Sequence, residues 1–130
     1  SLMGPYLTRK FIKDNMAHSD KLSEEARENY WWPIHEGTTS AMRATAKTFD
    51  KIMGRFPLYQ EMLRNYKGKA HVYWGSQDKV LRYDKIGFQF KRDLKLSDKN
   101  LHQNTDASHF IQEDDPESVV IEILALVNQT

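Results

Sequence analysis

The sequence predicts an α/β chain, a helical segment followed by the β-α-β-α end of a parallel sheet. Three observations lead there. Apolar residues recur at helix spacing through the first half, with no alternating strand pattern. Ala70-His71-Val72-Tyr73-Trp74 then forms a short apolar and aromatic run bounded by Gly68 and Gly75, which fits a buried strand. A helical pattern, a weaker strand and a proline-opened helix follow in that order, the grammar of parallel pairing.

Pro5 suits a first helical position, and Tyr6, Leu7, Phe11 and Ile12 continue the first helix to the polar stretch from Asp14 to Asp20. Ser23 caps a second helix with Glu24 and Glu25 in its first turn, and Pro33 should end it. A third helix is expected from about Ser40 to Met53, with Met42, Ala46, Phe49, Ile52 and Met53 on one stripe and Gly54 closing it. Pro57 opens a fourth, with Leu58, Met62 and Leu63 facing inward. After the first strand, Tyr83, Ile86, Phe88 and Phe90 give a less regular helix running to Leu96. The second strand covers about Asn100 to Asn104, and the last helix starts after Pro116. Two strands cannot cover both faces of a parallel sheet and protect its edges, so this half reads as one end of a larger sheet. The boundary falls near Gly54 to Pro57, dividing residues 1–56 from residues 57–130.

Composition narrows the partners. In 130 residues, 39% are hydrophobic, enough for a core, and 19 basic against 18 acidic residues leave no bulk field for nucleic acid, an acidic partner or a membrane surface. The apolar run from Val119 to Val127 is about half the ~20 residues a spanning helix needs and is expected to be a buried element. No cysteine occurs, in keeping with a reducing, cytoplasmic setting. Ser1 and Leu2 ahead of Met3 are expected to be cloning residues, and the start lacks signal-peptide regions. His18, His35, His71 and His102 lack the paired spacing of a metal site, so neither metal nor cofactor is expected.

Two stretches carry chemistry. Val72-Tyr73-Trp74-Gly75-Ser76-Gln77-Asp78 and Ala107-Ser108-His109-Phe110 each deliver a polar residue from a strand end. An Asp and a His so placed are two thirds of a nucleophile, base and acid set. Each has a plainer reading alone: Asp78 as a turn residue bonding its own backbone, His109 as a helix-entry or surface residue.

Trp74-Gly75-Ser76-Gln77-Asp78 and His109-Phe110-Ile111-Gln112-Glu113-Asp114-Asp115-Pro116-Glu117 together resemble the α/β-hydrolase superfamily, in its haloalkane dehalogenase and epoxide hydrolase branch. The resemblance covers residues 57–130. Residues 1–56 are similar to the later part of the helical cap of such enzymes, with Asn29-Tyr30-Trp31-Trp32-Pro33 like the end of a cap helix. It implies an incomplete α/β-hydrolase fold, with His109 as base and Asp78 as the acid that orients it. Cleavage of a small apolar ester, epoxide or alkyl halide would pass through a covalent intermediate. The nucleophile elbow and oxyanion loop would lie in the missing N-terminal part of the fold, since no Gly-x-Ser-x-Gly or Gly-x-Asp-x-Gly occurs, and the chain alone is expected to be inactive.

Val80 and Phe110 are candidate pocket walls, and Trp31 and Trp32 candidate roof residues, each with a core or interface role as the alternative. Glu113, Asp114, Asp115 and Glu117 are expected to stay solvated and complement the last helix's N-terminus. The other functional reading is a truncated, non-catalytic interaction module forming a homodimer through its sheet edge.

Overall fold

A computed structural model describes residues 3–33, 36 and 39–128; the side chains of residues 3–5, 31, 39 and 42 lie outside that description. The elements run α1 (Met3–Asp14), α2 (Glu24–Pro33), α3 (Thr39–Lys47), α4 (Phe49–Met53), α5 (Phe56–Asn65) and β1 (Val72–Gly75). A π-helical turn (Tyr83–Gly87) then leads into α6 (Phe88–Leu94). A 3₁₀ turn (Asp98–Asn100) precedes β2 (Leu101–Asn104), followed by α7 (Ile111–Asp114) and α8 (Pro116–Val127). Helices dominate a small parallel sheet, in which Val72 pairs with Leu101 and Gly75 with Asn104. Among the described residues no helix is long and apolar enough to cross a membrane.

Local chemistry explains the boundaries. The Ser23 hydroxyl accepts from the Ala26 amide at 3.1 Å and starts α2. The helix expected from Ser40 to Met53 breaks in two at Thr48, whose hydroxyl bonds back to the carbonyls of Ala44 (3.3 Å) and Thr45 (3.0 Å). The irregular segment after Asp78 resolves into the π-helical turn and α6. Lys95 ends α6 in the left-handed conformation (φ 56°) while the Leu96 amide bonds the Lys91 carbonyl at 2.9 Å.

The two sheet faces are covered differently. On one, Trp74 meets Phe90 of α6 at a ring-centroid distance of 6.0 Å. The Arg64 guanidinium of α5 holds the buried Asp93 carboxylate of α6 at 2.9 Å. On the other face α8 docks through a polar stripe, because Asp115, Ser118 and Glu122 are spaced by three and four residues and share one side of the helix. The Tyr73 hydroxyl donates to Ser118 Oγ at 2.7 Å, and the Asn104 amide group donates to Asp115 Oδ2 and to the Tyr73 hydroxyl, each at 2.9 Å. Asp115 caps α8 by accepting from the Ser118 amide at 3.1 Å.

Burial departs from the sequence expectation. Among the described residues the buried apolar ones are Ile12, Met16, Leu22, Val72 and Ala107, and the first three form a cluster against which Ala26, Tyr30 and Phe110 pack. The run from Val119 to Val127, expected to be buried, instead exposes Val120, Ile121, Ile123, Leu124 and Val127. The stripes of α4 and α5 are likewise open at Phe49, Met53, Leu58 and Met62. The reason is size: α8 is apolar around most of its circumference, and two four-residue strands can cover only one side of it.

The polar docking of α8 predicts an acid response. Bonds from Ser118, then Asn104, hold the Asp115 carboxyl below its usual 3.8. A carboxyl lowered on folding adds stability above its ordinary value, and that stability is lost as pH falls through the lowered one. Acidification below about 4 should therefore weaken the docking of α8 on the strands, and Asp115→Asn should reduce that part of the acid dependence. Far-UV circular dichroism of both proteins during acid titration checks this.

Candidate active site

Asp78 and His109 come together at the carboxyl ends of the two strands. His109 Nδ1 lies 2.9 Å from Asp78 Oδ2. A carboxylate only accepts, so the shared proton sits on Nδ1, which in the neutral ring leaves the lone pair on Nε2. The other carboxylate oxygen, Oδ1, accepts from the amides of Val80 and Leu81, both at 2.8 Å. Asp78 is thus a turn residue and a histidine partner at once, with a different oxygen serving each task. Its side chain is 6% exposed and that of His109 is 25% exposed, so the pair is sheltered on the Asp side and open on the His side.

The loop carrying His109 is fixed to the strand end by backbone bonds. The Ser76 amide donates to the Asn104 carbonyl at 2.8 Å, and the Gln77 amide to the Ala107 carbonyl at 3.0 Å. Such close lacing requires glycine at position 75, where a Cβ would stand 2.2 Å from the Ser108 carbonyl oxygen and 2.8 Å from the Ala107 carbonyl.

The same loop is anchored to the first helices. The His109 amide donates to the Asn15 carbonyl at 3.0 Å. The buried Asp114 carboxylate accepts from the amides of Ala17 (3.0 Å), His18 (2.8 Å) and Ser108 (2.8 Å). The Tyr30 hydroxyl donates to Glu113 at 2.7 Å. The expectation that the acidic run stays solvated therefore fails for Asp114 and Glu113. Asp115 does cap α8, and Glu117 is exposed. The misjudged residues precede the cap and turn back toward residues 15–30.

The candidate pocket residues are spread out. Phe110 packs against the Ile12, Met16 and Leu22 cluster, in edge contact with Tyr30 at 5.6 Å and Phe11 at 6.1 Å. Val80 is half exposed and Trp32 is 60% exposed, while the Trp31 side chain lies outside the described residues. An open groove of about 700 Å³ beside Asp78 is lined by Lys79, Arg82, Tyr83 and Gln103, a more polar set than the apolar wall expected. Phe11 was not singled out from sequence, yet its ring meets the His109 imidazole edge-on at 6.4 Å. Its one signal was helix periodicity, which marks packing and not chemistry.

A second histidine pair is also brought together. His71, just ahead of β1, and His102 in β2 have ring centroids 5.3 Å apart, facing Glu122 of α8. The expectation that these residues are scattered fails because parallel pairing of Tyr73 with His102 sets His71 diagonally across the same face.

No protein-family model, curated protein or solved structure matches the chain.

Asp114 is the residue whose loss should disturb the site most without touching Asp78 or His109. Asp114→Ala leaves three amides without their acceptor and should cost about 3 kcal/mol in urea unfolding, with Asp114→Asn costing less. An unchanged midpoint and slope for Asp114→Ala would sink this assignment.

Proposed function

We propose that this chain is the C-terminal portion of an α/β-hydrolase, supplying His109 as base and Asp78 as the acid that orients it. The contact that carries the reading is the 2.9 Å bond between His109 Nδ1 and Asp78 Oδ2 at adjacent strand ends. With Nδ1 engaged, His109 Nε2 is the basic atom and is directed away from Asp78. It takes a proton from a nucleophile, or from the water that cleaves a covalent intermediate, while Asp78 stabilises the imidazolium that forms. The substrate class is a small, largely apolar ester, epoxide or alkyl halide. The nucleophile and oxyanion donors come from the missing N-terminal part of the same fold. In this reading residues 1–56 belong to the cap and residues 57–130 to the core.

In a protein that carries these residues together with a nucleophile elbow, His109→Ala should lower kcat by about a thousandfold or more with little change in KM. Asp78→Asn should lower it by a similar factor. The chain alone should give no turnover above background on ester, epoxide and haloalkane panels, and turnover there would overturn the reading.

One observation favours a second reading, a non-catalytic interaction module. The outer edges of both strands have no strand partner among the described residues, and α8 exposes Val120, Ile121, Ile123, Leu124 and Val127. Such surface favours association, as a homodimer or with the remainder of a larger sheet. A module of this kind should elute as a dimer in light scattering at high concentration, and a clean monomer counts against it.

A further inference from the structure

We propose that His71, His102 and Glu122 form a binding site for a borderline divalent transition-metal ion, for which Zn²⁺ is the natural probe, and that the ion pins α8 to the two strands. The three residues come from the approach to β1, from β2 and from α8. They offer two imidazole nitrogens and a carboxylate oxygen, all within 4.8 Å of one another. Two His and one carboxylate suit zinc and its first-row neighbours better than the oxygen-seeking Mg²⁺ or Ca²⁺.

The orientation of His102 favours a cation between these groups. Its Nε2 lies 2.7 Å from the Lys99 carbonyl, which only accepts, so Nε2 carries a proton and Nδ1 is turned toward Glu122 Oε2 at 2.7 Å. A ring nitrogen donating to a backbone carbonyl while the other faces inward is the outer support that metal-bound histidines use. Without metal, Nδ1 at this distance carries a proton that it donates to the carboxylate, and a bound metal ion would take that proton's place.

The two gaps to Glu122 fit with modest adjustment, and the two imidazole nitrogens lie within 4.8 Å of each other. A tetrahedral zinc ion with ligands at about 2.0–2.1 Å holds neighbouring donor atoms about 3.3 Å apart. Glu122 Oε2 lies 2.7 Å from His102 Nδ1 and 3.6 Å from His71 Nδ1, so one gap widens and the other narrows by well under an ångström. The His71 side chain is only 7% exposed and that of His102 is 36% exposed, leaving the site open on the His102 side for a water as fourth ligand. The cluster lies toward the amino ends of the strands, whereas Asp78 and His109 lie beyond their carboxyl ends. The proposal thus does not rest on the hydrolase reading.

The test is titration of the chelator-stripped chain with ZnCl₂ by calorimetry, with MgCl₂ in parallel, and with CoCl₂ followed by visible absorption. The expected result is saturable one-to-one Zn²⁺ binding, a zinc-dependent rise in Tm, a low-coordinate Co²⁺ spectrum and no response to Mg²⁺. His71→Gln, His102→Gln and Glu122→Gln should each weaken zinc binding by about tenfold or more, while His18→Gln should leave it unchanged. Circular dichroism without metal establishes that each variant is folded. Absence of saturable Zn²⁺ binding in the unsubstituted chain overturns the proposal whatever the variants do. So does affinity that survives removal of all three side chains.

Discussion

The buried carboxylate of Asp114 ties together parts of the chain nearly a hundred residues apart. It gathers the amides of Ala17 and His18, at the end of the first helical turn-out, and the amide of Ser108, one residue before His109. Backbone amides have fixed directions, so three of them converging on one carboxylate define the position of both segments. The apolar residues nearby, Ile12, Met16 and Leu22, are too few to do this alone. Burial supplies the attraction, and the carboxylate supplies the register.

The sheet works in a similar way on a smaller scale. Two four-residue strands give little area, and the structure compensates with directional polar contacts: the Tyr73, Asn104, Asp115 and Ser118 group on one face and the lacing around Gly75 at the carboxyl end. Polar contacts of this kind give a unique geometry more readily than they give net stability. Large exposed side chains on α5 and α8 remain, and they represent apolar area that a larger assembly would remove from water.

Much of the element order was legible in the sequence, for reasons that are local. Ser23, Pro57 and Pro116 mark helix starts, and Gly75 marks a strand end, through constraints that a residue imposes on its own neighbours. Asp78 and His109 were legible only as a pair, because both follow strand signals and their spacing and order together resemble one family's motifs. Thr48 was not, since a threonine hydroxyl can bond back to its own helix without ending it. Nor was the burial of Asp114, which depends on residues 17 and 18 arriving from far along the chain. His71 and His102 were missed for the same reason: a spacing rule sees one element at a time, and their adjacency exists only once two strands pair in register.

The divided use of Asp78 has a further consequence. Because Oδ1 holds the Val80 and Leu81 amides while Oδ2 holds the imidazole, the carboxylate cannot rotate toward one without leaving the other. The 78–81 turn and the ring of His109 are therefore thermodynamically linked, and linkage runs in both directions. Whatever stiffens the turn also aligns the histidine, and whatever draws the histidine away loosens the turn. Two backbone amides become a local gauge of a side chain in the loop beyond the other strand, readable by hydrogen exchange without touching the imidazole.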